Sequence, residues 1–193
     1  MTDASATASA ETETRAPRRG ARILFSAAVL VLTVGCDQLT KKVAVEALKG
    51  TPRQSFLGDL FRLDYAENPG AFLGLGGALP GAWQFWILTI GVGGLLFGML
   101  GYLVASRHLH LGPSLGLAMM VGGGLSNWFD RVVNEGRVVD FMNLGIGSLR
   151  TGIFNVADVA IMAGAAVMVF GSSERRRRNE RGHPGSFPSA PPS

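Results

Sequence analysis

Asp140, which follows Val138-Val139, and Asp158, inside Phe154-Asn155-Val156-Ala157-Asp158-Val159, are the residues of this 193-residue chain best placed to do chemistry together. Gly145, Gly147 and Gly152 between them permit a return loop, so the two carboxyl groups can face each other at one membrane depth. Carboxylates held that closely repel each other and share one proton. The bare carboxylate then serves as a general base that activates water against a peptide carbonyl. Its protonated partner serves as the acid for the carbonyl oxygen and the departing amine. No serine-histidine or cysteine-histidine pair and no His-Glu-x-x-His motif competes for that role. Spacing alone leaves three readings open: proteolysis, ion or proton translocation, and a purely structural bundle.

Other ionisable groups lie where hydrocarbon makes them costly. Asp37 and Lys41 are four apart and share one helix face, a spacing that favours a structural ion pair. Asn127, Asp130 and Arg131 end a glycine-rich apolar segment, with Arg131 free to turn back to the carboxylate or to reach a phosphate headgroup. His108 and His110 have no cysteine or acidic cluster beside them and read as loop residues. The single cysteine, Cys36, forbids an internal disulfide framework.

The elements that must position these groups are apolar. Only 17% of residues are charged, the net charge is +4, and the mean hydropathy is +0.27. That excludes a disordered or nucleic-acid-binding chain. Ile23–Cys36 is a chargeless run, too short for a bilayer unless its helix continues to about Val45. Its basic flank and Gly35-Cys36 also fit an export signal, which three further membrane segments argue against. Trp83–Ala105, Leu111–Phe129 and Ile153–Gly171 complete four spans, about 23–45, 83–105, 111–129 and 153–171. Gly112, Gly116, Gly122, Gly123 and Gly124 in the third span permit close approach of a neighbouring helix.

Arg15, Arg18, Arg19, Arg22, Arg107, Arg175–Arg178 and Arg181 flank one side, which places both termini in the cytoplasm. Residues 1–22 read as a disordered basic arm and 172–193 as a disordered basic, Pro/Ser-rich tail. Partial alternation after Leu60 predicts short strands on the membrane surface within the outer segment, about 46–82. Gly74, Gly76, Gly77, Pro80 and Gly81 follow as a flexible turn. The expected class is an all-α polytopic membrane protein with four transmembrane helices and a small β-like outer cradle between the first and second.

Five segments in order resemble the lipoprotein signal peptidases, or signal peptidase II: Asp37-Gln38-Leu39-Thr40-Lys41; Asn68-Pro69-Gly70-Ala71-Phe72; Gly122-Gly123-Gly124-Leu125-Ser126-Asn127 with Asp130-Arg131; Gly136-Arg137-Val138-Val139-Asp140-Phe141; and Phe154-Asn155-Val156-Ala157-Asp158. The resemblance covers about residues 23–171. It implies an aspartyl endopeptidase of the bacterial inner membrane that cuts diacylglyceryl-modified prolipoproteins before the lipidated cysteine. It carries the catalytic pair onto Asp140 and Asp158. Asp37, Lys41, Asn68, Asn127, Arg131 and Asn155 would order that pair, hold the substrate backbone or meet its headgroup. A β-like cradle and a small helix would cover the site mouth. No metal or cofactor is implied, and the expected partners are prolipoproteins and membrane phospholipids, met by a monomer. The alternatives are a non-catalytic lipoprotein-binding relative and a small transporter or proton conductor. Three departures stand out: one residue, Ala71, where the family commonly has two, Ser126 in place of a usual glycine, and no proline in Thr151-Gly152-Ile153.

Overall fold

The chargeless, proline-free run after Arg22 propagates into a single helix, α1 (Arg19–Leu48), in a computed structural model that describes residues 19–70, 86–107 and 109–182. At about 1.5 Å per residue its thirty residues reach about 45 Å. By length and composition α1 is the one described helix able to cross a membrane unaided. Its burial pattern is inverted relative to a helix in water. Arg22, Ser26, Asp37 and Lys41 are buried, whereas Leu24, Val31, Leu32 and Leu39 are exposed. Apolar groups outward and polar groups inward is the arrangement that lipid favours, because charge facing hydrocarbon is costly and finds partners only inside the bundle.

After α1 come β1 (Gln54–Phe56) and β2 (Phe61–Asn68). A π-helical turn (Trp86–Gly91) then leads into α2 (Val92–Ala105), followed by α3 (Leu111–Val133). The strands β3 (Val138–Ile146) and β4 (Leu149–Arg150) precede α4 (Val156–Gly182). The protein is thus a mostly helical membrane protein with a β-sheet element. Ala44 and Leu48 of α1 pack with Phe141 and thereby seat the sheet on the end of the bundle.

The strand expectation holds for β1 and β2, but the sheet is not confined to the segment between the first two helices. Its order is β1-β2-β3-β4, all antiparallel, so residues 138–150 supply half of its strands. The return loop expected through Gly145 and Gly147 is a hairpin instead. Val138, Val139, Asp140 and Phe141 are all buried, and a strand covered on both faces lacks the polar alternation by which strands are read.

Helix ends also differ from the expected boundaries. Arg19–Arg22 are helical rather than part of a disordered arm, and α4 continues through Ser172–Gly182, where the sequence predicts tail. The glycine-rich turn falls in residues 71–85, outside the described residues, and no covering helix occurs among the described residues between α1 and the π-helical turn. The arm before Arg19, His108 and the tail after Gly182 lie outside them too.

α3 and α4 touch through backbone. A Cβ on Gly116 would lie 2.7 Å from the Gly164 carbonyl oxygen, and one on Gly123 would lie 2.5 Å from that of Ala157. The close approach expected of the third-span glycines is therefore present, except at Gly112, where a Cβ would meet nothing. Gly164→Ala should wedge the pair apart at a cost of about 1–3 kcal/mol. Thermal unfolding in micelles checks this, with Gly98→Ala as the comparison, since a Cβ at Gly98 meets nothing within 4 Å. Equal melting temperatures for the two variants would contradict the close packing.

Candidate active site

α1 and α3 run side by side in one direction, pairing Thr33 with Gly122, Asp37 with Ser126 and Lys41 with Asn127. This brings a chain of polar groups to the sheet end of the bundle. The Lys41 ammonium lies 2.6 Å from Asp37 Oδ2, 2.8 Å from Asp130 Oδ2 and 2.8 Å from Asn127 Oδ1. Three acceptors match its three protons. Asp37, fully buried, also accepts the Ser126 hydroxyl at 2.7 Å and the Ala157 N–H at 2.7 Å. Gln38 Nε2 donates to Asp130 Oδ1 at 2.8 Å and to Ser126 Oγ at 2.9 Å. The expected Asp37–Lys41 ion pair is present, and Asp130 completes it as a triad.

The start of α4 fixes the second half of the site. Asn155 is its N-cap: Oδ1 accepts the Asp158 N–H at 3.0 Å, while Asp158 Oδ2 accepts the Asn155 N–H at 3.2 Å. This reciprocal capping aims the Asn155 oxygen at the helix, so its amide hydrogens must point away. They meet Asp140 Oδ1 at 2.7 Å and Asn127 Oδ1 at 3.0 Å. Asn127 Nδ2 in turn donates to Asp158 Oδ1 at 2.9 Å. Because Lys41 and Asn155 both donate to Asn127 Oδ1, its amide cannot flip without losing both. One cation, through one amide, thereby orients Asp158.

Asp140 sits on β3 opposite Ala66. Its Oδ2 accepts Asn68 Nδ2 at 2.9 Å, while Asn68 Oδ1 takes the Gly70 N–H at 2.9 Å. Burial, reinforced by repulsion from Asp158 and opposed by the Asn68 donor, pushes the Asp140 carboxyl up to about 7. Both aspartates border a cleft of about 280 Å³ with Asn127, Arg131 and the apolar Val92, Ile161, Met162 and Ala165. Arg131 does not turn back to Asp130, which Lys41 already occupies. It donates to the Gly70 carbonyl at 2.6 Å and the Asn127 carbonyl at 3.3 Å, and its Nε has no partner among the described residues.

All eight residues singled out in the sequence, Asp37, Lys41, Asn68, Asn127, Arg131, Asp140, Asn155 and Asp158, fall in or directly behind this cleft. Asp130, Gln38 and Ser126 were missing from that set although they complete the network. The Asn155-x-x-Asp158 spacing was a legible capping signal that would have placed Asp158 at a helix start. Among the described residues, no three His, Cys, Asp or Glu side chains converge as metal ligands.

Fold and cleft define a class: a helical membrane protein whose sheet and helix ends bring two buried aspartates to one apolar cleft. The family model for signal peptidase (SPase) II matches residues 29–173, and the chain belongs to that family. It is 34% identical over 157 residues to the lipoprotein signal peptidase of Pelodictyon phaeoclathratiforme, covering 77% of this chain and 88% of the relative. It is 33% identical over 159 residues to that of Mycobacterium tuberculosis, covering 80% and 72%. With that of Burkholderia mallei the identity is 35% over 151 residues, covering 77% and 87%. Two solved structures, each described as a bacterial membrane enzyme obtained by the in meso method, share the fold. One gives a TM-score of 0.65 at 23% identity, covering 80% of this chain and 88% of that one. The other gives 0.63 at 24%, covering 77% and 92%. The protein is accordingly a membrane protease of the signal peptidase II type, a lipoprotein-processing enzyme.

Proposed function

We propose that this enzyme removes signal peptides from diacylglyceryl-modified prolipoproteins, cutting before the lipidated cysteine, with Asp140 and Asp158 as its catalytic pair. The observation that carries the reading is Asn155, whose side-chain amide donates to the Asp140 carboxylate and whose backbone N–H donates to that of Asp158. Four helices, α1 to α4 with the π-helical turn included in the second, cross the inner membrane of a bacterium. Both termini lie in the cytoplasm and the sheet lies on the outer face. The enzyme acts as a monomer among phospholipids, with no nucleic acid partner.

The pair holds one proton between two carboxyls. The bare carboxylate takes a proton from water as the water oxygen bonds to the scissile carbonyl carbon, and the protonated carboxyl gives its proton to the carbonyl oxygen. In the collapse of the tetrahedral diol a hydroxyl returns its proton to the bare carboxylate as the C–N bond breaks, and the carboxyl that took the water proton gives it to the departing amine, which restores the one-proton pair. Arg131 and Asn127 border the cleft as donors for substrate backbone or headgroup, while Val92, Ile161, Met162 and Ala165 supply apolar wall for a chain entering from lipid. No cofactor enters the scheme.

The reading is tested by incubating purified enzyme with a diacylglyceryl-modified prolipoprotein and its unlipidated counterpart, then locating the cut by mass spectrometry. A cut immediately before the modified cysteine, on the lipidated form alone, is expected. Equal cleavage of both forms would overturn the substrate class. The proton inventory gives a second check. With the Asp140 carboxyl near 7, turnover should fall above neutral pH as the shared proton is lost. Asn68 donates to the charged form, so Asn68→Val should raise that carboxyl further and move the alkaline limb to higher pH. A pH–rate profile whose limb stays put or moves down contradicts the role of Asn68.

A further inference from the structure

Arg22 lies at the opposite end of α1 from the aspartates, fifteen residues and about 22 Å before Asp37. It is only 3% exposed. Its Nη2 donates to the Ser106 carbonyl at 2.5 Å, just past the C-terminus of α2. Its Nη1 has no partner among the described residues, and neither do the buried hydroxyls of Ser26 and Ser114. Ser26 is one turn along α1 on the same face. The pairing of Thr33 with Gly122 and Asp37 with Ser126, extended down the two helices, sets Ser114 level with Ser26.

Among the described residues these donors have no counter-charge. No Asp or Glu occurs in residues 15–36 or 86–129, whereas Arg19, Arg22 and Arg107 cluster here. Beyond Gly171 the sequence adds Glu174 and Glu180 against Arg175, Arg176, Arg177, Arg178 and Arg181, and residues 1–14 carry Asp3, Glu11 and Glu13. A buried guanidinium without an anion is strongly unfavourable, and a helix C-terminus offsets only part of that cost. At the head of α3, His110 gives no side-chain cap, so the first-turn N–H groups add further positive potential. Ser26 opens onto a groove of about 200 Å³ between α1 and α2, walled by Ile23, Ala27, Leu30, Val31, Leu100 and Val104. A charged donor set at the mouth of an apolar groove, at the end of a membrane-spanning helix, is complementary to a phosphodiester carrying acyl chains.

We propose that this end of the bundle binds one anionic phospholipid, its phosphodiester on Arg22 and Ser26 and an acyl chain in the α1–α2 groove. The site rests on the membrane placement of α1 and is independent of the chemistry assigned to Asp140 and Asp158. The test uses full-length protein in neutral detergent, supplied with phosphatidylglycerol, phosphatidylcholine or inorganic phosphate, and counts retained lipid by native mass spectrometry. Wild type should keep one phosphatidylglycerol at least tenfold more often than phosphatidylcholine and gain a melting-temperature increase from phosphatidylglycerol. Arg22→Gln should lower that retention at least fivefold. Ala27→Trp, which fills the groove from its exposed side and leaves the core intact, should do the same. Arg53→Gln, a charge lost at the sheet end where Arg53 pairs with Asp64, should change nothing. Undiminished retention by Ala27→Trp overturns the proposal even if Arg22→Gln fails to fold, and so does equal stabilisation by inorganic phosphate and phosphatidylglycerol.

Discussion

Asp140→Asn and Asp158→Asn are each expected to lower turnover of a lipidated prolipoprotein by about 10³-fold or more, because each removes an acid–base partner for which no neighbour substitutes. Both variants should remain folded. Asn at 158 keeps an oxygen for the Asn155 N–H, so the start of α4 stays capped. Asn at 140 faces two donors, Asn68 and Asn155, and its own amide nitrogen can satisfy only one orientation, so one of those bonds is lost. The Asp140 change also alters the pH dependence of stability. With a folded-state value near 7 against about 3.9 unfolded, the native protein binds the extra proton between those values. The stability contributed by Asp140 is therefore fully present below about pH 4 and is lost as pH rises toward 7. Asp140→Asn should lack that decline, and melting temperatures across pH 4–8 test it. Near-wild-type turnover by either variant would remove that aspartate from the chemistry.

Legibility in the sequence followed how strongly each residue's type constrains its surroundings. Asp37 and Lys41 were readable as a pair because helical spacing alone joins them. Asp140 and Asp158 were readable as candidates because carboxyls near hydrocarbon need a reason, but nothing in their spacing says that Asn155 bridges them. That contact depends on a strand and a helix cap meeting in space. β3 was missed because Val138–Phe141 is covered on both faces. Asp130 reads as the partner of Arg131, next in sequence, whereas the cation it meets in space is Lys41 on another helix. Ser126 was noted only as a departure from a usual glycine, yet its hydroxyl bonds Asp37 and receives Gln38.

Lys41→Met should have the largest effect on stability. It leaves Asp37 and Asp130 buried without a cation and takes one of the two donors from Asn127 Oδ1. Removing one side of such a buried set costs about 3–5 kcal/mol. Unfolding in micelles should show a loss of that order, with turnover falling because Asn127 no longer fixes Asp158. Combining Lys41→Met with Asp37→Asn and Asp130→Asn should recover part of the stability by removing the stranded charges. Lys41→Arg should not rescue, since a planar guanidinium cannot meet three acceptors arranged around an ammonium. A Lys41→Met protein as stable as wild type would mean that the triad is not charged as drawn.

The composite sheet has a consequence in time. Asn68 and Asp140 are 72 residues apart in the chain, so β2 leaves the ribosome well before its partner β3 exists. At about 5–20 residues per second the gap lasts about 4–14 s. Through that interval the edge of β2 waits unpaired while α2 and α3 are made. Until residue 158 is made no nascent chain holds both aspartates, so the proposed pair cannot form before the start of α4 exists. The order of synthesis thus delays the assembly of the cleft to the end of translation.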